Sequence, residues 1–327
     1  MECETTSANT EALGSPVQFI ERSSDQALID HQVRLELKSA YPVIRATTTK
    51  QLLECLVSIK SEGHTSAKNE FLRYNNVDLI CVIDVSGSMS GAKIDLVRKS
   101  LNYVLAKLNS KDRLAIIKFA TKATVLCEFT SANESAKLSS IINNLQAEDS
   151  TNIKAGLELA YNMVRDNLKS SNLQCVLLLS DGRDMEGFTP EGVVVQLENY
   201  FGTSRPPFTI HSLGYGSDHD PKIMKKAAKL QGGKFRFVEK DQDLDIVVAK
   251  LLGGLFSTIA KRITVRIGIN PSFPLQGGRI IKVYGDSVIA DPSGDYIIPI
   301  VQYRAGSTNS YAIELEVPSY DPLNDKI

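Results

Sequence analysis

Three short segments hold the oxygen side chains best able to do chemistry in this chain. In Asp84-Val-Ser86-Gly-Ser88, three such side chains share one tight loop, and Gly87 permits the turn. Asp149-Ser-Thr151-Asn152 stands ahead of a helical pattern, and Ser180-Asp181-Gly182 closes a very apolar run. Together Asp84, Ser86, Ser88, Thr151 and Asp181 offer two carboxylates and three hydroxyls, with no Cys or His. Such hard donors suit Mg²⁺, with Mn²⁺ and Ca²⁺ fitting the same oxygens, and do not suit zinc or copper. If the hydroxyls bind directly and the carboxylates partly through water, the ion stays electron-poor and keeps a position open. An Asp or Glu of a partner protein can fill it.

These segments meet only if the surrounding elements carry them to one edge. Asp78 to Asp84 and Gln174 to Ser180 are continuous apolar runs, the mark of strands buried on both faces of a parallel sheet. Between and after them, helical spacing recurs at Ile94–Leu108, Glu134–Leu145, Ile153–Leu168, Pro190–Tyr200, Pro221–Leu230 and Leu244–Leu255. Further strands are expected at Arg113–Phe119, Ala123–Phe129, Phe208–Leu213 and Phe235–Val238. The connection from Phe119 to Ala123 is too short for a crossover helix, so that pair must be a hairpin with an antiparallel edge strand. The fold class expected is α/β: a Rossmann-like open, mostly parallel sheet with helices on both faces. In such sheets ligands bind at the C-terminal ends of the strands, where the three segments fall.

The flanks differ. Val33, Leu35 and Leu37 alternate with polar residues, and Leu53 to Ile59 suggests a second strand. After Lys261 the pattern becomes β: Ile263 to Ile269, Ile280 to Tyr284, Asp295 to Val301 and Tyr311 to Val317, with Gly/Pro/Asp/Ser turns between. The expected organisation is a polar leader over 1–29, a small antiparallel β-sandwich built from 30–76 plus 262–320, and the α/β domain inserted over 77–261.

The Asp84-Val-Ser86-Gly-Ser88 loop, Thr151 and the Ser180-Asp181-Gly182 turn resemble the metal-ion-dependent adhesion site of von Willebrand factor A domains, over about residues 77 to 260. The resemblance implies Ser86, Ser88 and Thr151 as direct ligands, with Asp84 and Asp181 acting largely through water. It also implies that ligation can shift the final helix of the domain. Gly216-Ser-Asp218-His219-Asp220, the Gly253-Gly254-Leu helix and the trailing β segment are similar to intracellular A-domain proteins, the plant RING-type ubiquitin ligases among them. The chain has no RING cysteine set, so ligase activity does not carry over.

Plain alternatives stand beside these assignments. Ser and Asp cap helices well, so the 84–88 loop could be a capping turn and Thr151 a cap. Gly182-Arg183-Asp184 reads as a turn, His211 as a core histidine, Asp218-His219-Asp220 as a solvated loop with a cap at Asp220, and the acids from Asp241 to Asp245 as favourable to the helix that follows. An enzyme is not expected. Ser86 replaces the second aspartate that an aspartyl-phosphate phosphatase needs, Gly87-Ser-Met89-Ser-Gly91 puts Met at the serine-hydrolase nucleophile position, and no P-loop occurs. A structural metal in a scaffold subunit is the remaining alternative.

Composition agrees. The chain has 327 residues, 43% hydrophobic and 23% charged, with Lys+Arg 37 against Asp+Glu 38 and a formal net charge of −1. That is ordinary for a globular protein and lacks the basic excess usual in nucleic-acid binders. No apolar run is long enough to span a membrane, and no apolar leader follows Met1, so an intracellular location is expected. The five cysteines, Cys3, Cys55, Cys81, Cys127 and Cys175, form no CxxC pattern and read as reduced thiols.

Overall fold

The computed structural model describes residues 33–40, 49–61, 73–148, 150–202, 208–217, 219–269, 277–285 and 287–319. The chain divides into two compact units, Met1–His64 with Arg262–Ile327, and Thr65–Lys261. The leader over 1–29, Cys3, Asp149 and Asp218 lie outside the described residues.

In the first unit, strand β1 (Val33–Ser39) pairs antiparallel with β2 (Gln51–Ser61).

Central strand β3 (Val77–Asp84) is buried at every residue. It is followed by a 3-10 turn (Gly87–Met89), helix α1 (Ala92–Lys107), the hairpin β4 (Arg113–Phe119) and β5 (Ala123–Ser131), and helices α2 (Ser135–Asn143) and α3 (Ile153–Asp166). Then come β6 (Leu173–Ser180), α4 (Pro190–Phe201), β7 (Phe208–Tyr215), α5 (Lys222–Leu230), β8 (Phe235–Val238) and α6 (Leu244–Phe256). The sheet order is β5-β4-β3-β6-β7-β8, parallel except for the β4–β5 hairpin. The fold class expected from the sequence is therefore the one found, antiparallel edge strand included.

Period-two alternation divides the core. Leu79, Cys81 and Ile83 face one layer with α1, α2 and α6, through Val97, Leu101, Leu138 and Leu251. Ile80 and Val82 face the other with α3, α4 and α5, through Leu157, Tyr161, Leu197 and Met224. The chain passes from β3 to β4 on one side and later to β6 on the other, so strand order reverses between β3 and β6. A crevice at such a reversal opens at the strands' C-terminal ends, beyond Asp84 and Ser180. Gly156 lets α3 lie close to this part of the sheet, since a Cβ there would stand 2.7 Å from the Phe119 ring.

Strand β9 (Thr258–Ile267) begins five residues ahead of the expected Ile263, directly after α6. The β-branched Thr258 and Ile259 favour the extended chain, so the helix ends at Phe256. In the first unit, β10 (Arg279–Tyr284), the two-residue β11 (Ile289–Ala290), β12 (Tyr296–Arg304) and β13 (Thr308–Val317) complete two antiparallel sheets, ordered β1-β2-β13-β10 and β11-β12-β9. The β2–β13 register, Val57 opposite Tyr311 and Cys55 opposite Ile313, joins the early and late parts of the sequence in one sheet. Cys55, Cys81, Cys127 and Cys175 form no disulfide among the described residues, and the last three are buried. Among the described residues no helix is long and apolar enough to cross a membrane.

Candidate functional site

The site is built at the ends of β3 and β6. Asp84, the last residue of β3, is fully buried. Its Oδ1 accepts from the Ser86 amide at 2.9 Å and its Oδ2 from the Ser180 hydroxyl at 2.5 Å. Ser180 in turn accepts from the Gly182 amide at 2.8 Å, so the first and third segments are bonded together. Ser86 and Ser88 place their hydroxyl oxygens 3.1 Å apart. The second segment is bound to the first by the main chain: the Glu148 amide donates to the Val85 carbonyl at 2.5 Å. It is bound to the third by the Met185 amide, which donates to the Thr151 carbonyl at 3.0 Å. Ser86, Thr151 and Asp181 are buried, and Ser88 is half-buried.

The capping alternatives can be checked directly. Helix α1 has Gly91 at its N-cap with no side-chain cap bond, and Ser86 gives no side-chain cap bond to the 3-10 turn. Helix α3 is capped by Asn152, whose side chain accepts from Ala155 at 2.9 Å, and by Asp184, which accepts from Ile153 at 2.9 Å. The hydroxyl of Thr151 is in neither bond. The polar loops thus spend none of their three hydroxyls on helix ends.

Charge is distributed unevenly. Burial pushes the Asp84 carboxyl up to about 6, against the pull of hydrogen bonds from Ser180 and Ser86 and with a further push from the like charge of Asp181. Asp181 is fully buried, and its Oδ2 meets the Lys93 ammonium at 2.9 Å while its Oδ1 accepts from the Arg183 amide at 3.3 Å. Among the described residues no three His, Cys, Asp or Glu side chains gather into a metal-binding group. A divalent ion here must therefore draw on the hydroxyls. The residues present fit that chemistry: two carboxylates and three hard neutral oxygens, with no cationic partner for Asp84 among the described residues.

Local backbone fixes the third segment. Gly182 has φ +77°, and a Cβ on it would fall 1.8 Å from the Asp220 carbonyl oxygen, so only glycine fits. The Asp220 amide donates to the Asp181 carbonyl at 2.8 Å. Asp184 also accepts from the Glu186 and Phe188 amides, at 3.0 and 2.7 Å, so the Gly182-Arg183-Asp184 stretch is a turn, as its sequence suggests. His219 stacks on Phe237 with centroids 4.5 Å apart and bonds the Gly216 carbonyl oxygen through Nδ1. Asp220 accepts from the Lys222 amide at 3.1 Å. His211 is buried, with Nδ1 accepting from the Lys234 amide at 3.1 Å.

Sequence reasoning missed Lys93, Ser180 as a donor to Asp84, and Asp184 as an anchor. Only Lys93 left a signal. A lysine at the second position of α1 opposes the helix dipole, a placement that calls for a nearby acid.

An open, mostly parallel α/β sheet with a hydroxyl-and-carboxylate crevice at its switch point defines the architectural class. The chain matches the von Willebrand factor type A domain model over residues 78–249, and it belongs to that family. The uncharacterised protein YfbK of Escherichia coli (strain K12) is 28% identical over 211 residues, covering 63% of this chain and 36% of YfbK. The E3 ubiquitin-protein ligase WAV3 of Arabidopsis thaliana is 26% identical over 254 residues, covering 74% of this chain and 31% of WAV3. The chain thus spans about a third of the length of these two relatives. The solved structure of a von Willebrand factor type A protein from Catenulispora acidiphila shares the fold with a TM-score of 0.67 at 18% identity, covering 88% of this chain and 66% of that one.

Proposed function

We propose that the chain is a protein-binding module whose divalent cation, Mg²⁺ first among the hard ions, is held by Asp84, Ser86, Ser88, Thr151 and Asp181. The observation that carries this reading is that the hydroxyls of Ser86, Ser88 and Thr151 gather beside two buried carboxylates and cap no helix. Ser86 begins the 3-10 turn without a side-chain cap bond, Ser88 lies within that turn, and the start of α3 is capped by Asn152 and Asp184 rather than by Thr151. A buried carboxylate whose pKa is raised, such as Asp84, set among hard oxygen donors marks a functional site.

A bound divalent ion supplies an electropositive point that accepts a carboxylate oxygen from an Asp or Glu of a partner protein. The chain's own residues do the rest. Ser180 and the Ser86 amide hold Asp84, Gly182 holds the Asp181 turn, and exposed Arg183 and Met185 frame the rim. This reading includes no catalytic residue. It extends to an intracellular module without nucleic-acid partners.

The test has two parts. Calorimetric titration with MnCl₂ is expected to detect binding to the wild-type chain and a large loss in Asp84→Asn. Partners captured from native cell extract in Mg²⁺ are expected to disappear both in EDTA and with Asp84→Asn. Identical partners under all these conditions would leave the metal site without a role in docking and favour the scaffold alternative.

A further inference from the structure

We propose that Lys93 is the cation the site holds when no divalent ion is bound, and that it sets how tightly a divalent ion binds. The inference rests on the reading of the metal site given above and adds a residue to it.

Lys93 places its ammonium 2.9 Å from Asp181 Oδ2, with the lysine side chain 17% exposed and the aspartate fully buried. Without that ammonium Asp181 would be a buried charge left, among the described residues, with the Arg183 amide at 3.3 Å. Leaving such a charge unpaired is strongly destabilising. The helix field opposes a lysine at this position. It lies in the first turn of α1, where the helix dipole repels a cation, and the helix start has no side-chain cap to soften that field. The pair with buried Asp181 offsets that field.

The same geometry opposes a divalent ion. An ion that engages Asp181 stands beside an ammonium, and two cations on one carboxylate repel. Binding must therefore displace Lys93 or be weakened by it, and the two occupants are linked reciprocally. Displacement is open to a lysine, which is a point charge on a flexible four-carbon stem and sits here at the partly exposed rim. Neighbouring Lys118 is differently placed, because it pairs with Glu148 and not with a proposed ligand. Lys93 thus keeps the ion-free crevice intact and restricts occupancy to conditions where the divalent ion competes well.

The experiment uses the full 327-residue chain, stripped with EDTA and dialysed. MnCl₂ and MgCl₂ are titrated by calorimetry into wild type, Lys93→Met and Lys93→Arg, and each protein is melted in EDTA and in Mg²⁺. Lys93→Met is expected to bind Mn²⁺ about tenfold tighter, to melt lower in EDTA, and to gain more on adding Mg²⁺. Lys93→Arg, which keeps the charge, is expected to stay with wild type in affinity. Should Lys93→Met fail to fold in EDTA, Lys93→Gln, which can still donate to Asp181, carries the same expectation. Equal Mn²⁺ affinity in wild type and the uncharged variants would overturn the role of Lys93 and leave the metal site standing. No Mn²⁺ binding by any of them would overturn the site and this inference together.

Discussion

Strand β3 carries a buried aspartate at each end, and the protein treats the two in opposite ways. Asp78, near the start of the strand, receives five donors. Arg113 approaches both oxygens, through Nε at 2.8 Å and Nη2 at 2.6 Å, and Asn167, Ser170 and Asn172 add bonds of 2.8, 2.6 and 2.8 Å. Burial alone would raise its pKa, but these hydrogen bonds, that of Arg113 foremost, hold the carboxyl below its usual range. Asp84, six residues on, receives one amide and one hydroxyl and is pushed upward. Both side chains are inaccessible to solvent. One end of the strand is satisfied internally and fastens the sheet; the other is left short of positive charge. A buried carboxylate informs about function through its partners, not its burial.

The largest effect is expected from removing the satisfied member. Asp78→Ala strands the Arg113 guanidinium and three side-chain donors at the bottom of the sheet. Breaking a buried ion pair from one side costs about 3–5 kcal/mol, and urea unfolding of Asp78→Ala is expected to show a loss of that order. Mn²⁺ affinity, measured on the protein that remains folded, should not change. A loss confined to metal binding would mean that the two ends of β3 are not separate in function.

The next effect comes from the other end. Asp84→Asn keeps the shape and removes the charge. Groups that act on a metal through water typically shift its affinity about 10- to 100-fold, and a loss in that range is expected by MnCl₂ titration. In EDTA the variant should melt close to wild type, because no cation loses its partner. A large drop in EDTA stability would place Asp84 with Asp78 as a structural group.

A smaller effect is the pH dependence at Asp78. Its folded pKa lies below the ordinary carboxylate value of about 3.9, so the folded state holds fewer protons than the unfolded one near that pH. Its contribution is therefore full above the unfolded pKa and is lost as pH falls through the folded one. The stability gap between wild type and Asp78→Ala should be constant from pH 7 to 5 and narrow below about 4. A gap that widens in acid would reverse the sign assigned here.

Much of the architecture was legible because it is written locally. Continuous apolar runs at 78–84 and 174–180 marked central parallel strands, and the few residues between Phe119 and Ala123 forced the hairpin. The candidate ligands were legible for a related reason: each sits where a strand ends or a helix starts. The Asp78 cluster was not, because Asn167, Ser170 and Asn172 lie 89 to 94 residues away and come together only through β6 and the end of α3. No periodicity encodes a hydrogen bond across that separation. The start of β9 was also missed, because strict alternation begins at Ile263 while β-branching already turns the chain to strand at Thr258.

The smallest expected effect separates two adjacent residues. Asn152 caps α3 through its side chain, whereas Thr151 contributes its carbonyl to the Met185 amide and keeps its hydroxyl out of the helix cap. Losing an N-cap side chain costs about 1 kcal/mol, so Asn152→Ala should unfold at correspondingly lower urea concentration. Its backbone, and with it the Thr151 loop, remains held by Asp184 on the Ile153 amide, so Mn²⁺ affinity should stay near that of wild type. Thr151→Val should do the reverse, because it preserves the shape and the carbonyl bond while deleting one proposed ligand oxygen. Measured side by side by urea unfolding and MnCl₂ titration, the two variants repeat at neighbouring residues the division seen between Asp78 and Asp84. If Thr151→Val binds Mn²⁺ as wild type does, the hydroxyl is not a ligand and the donor set shrinks to the two loops joined by Ser180.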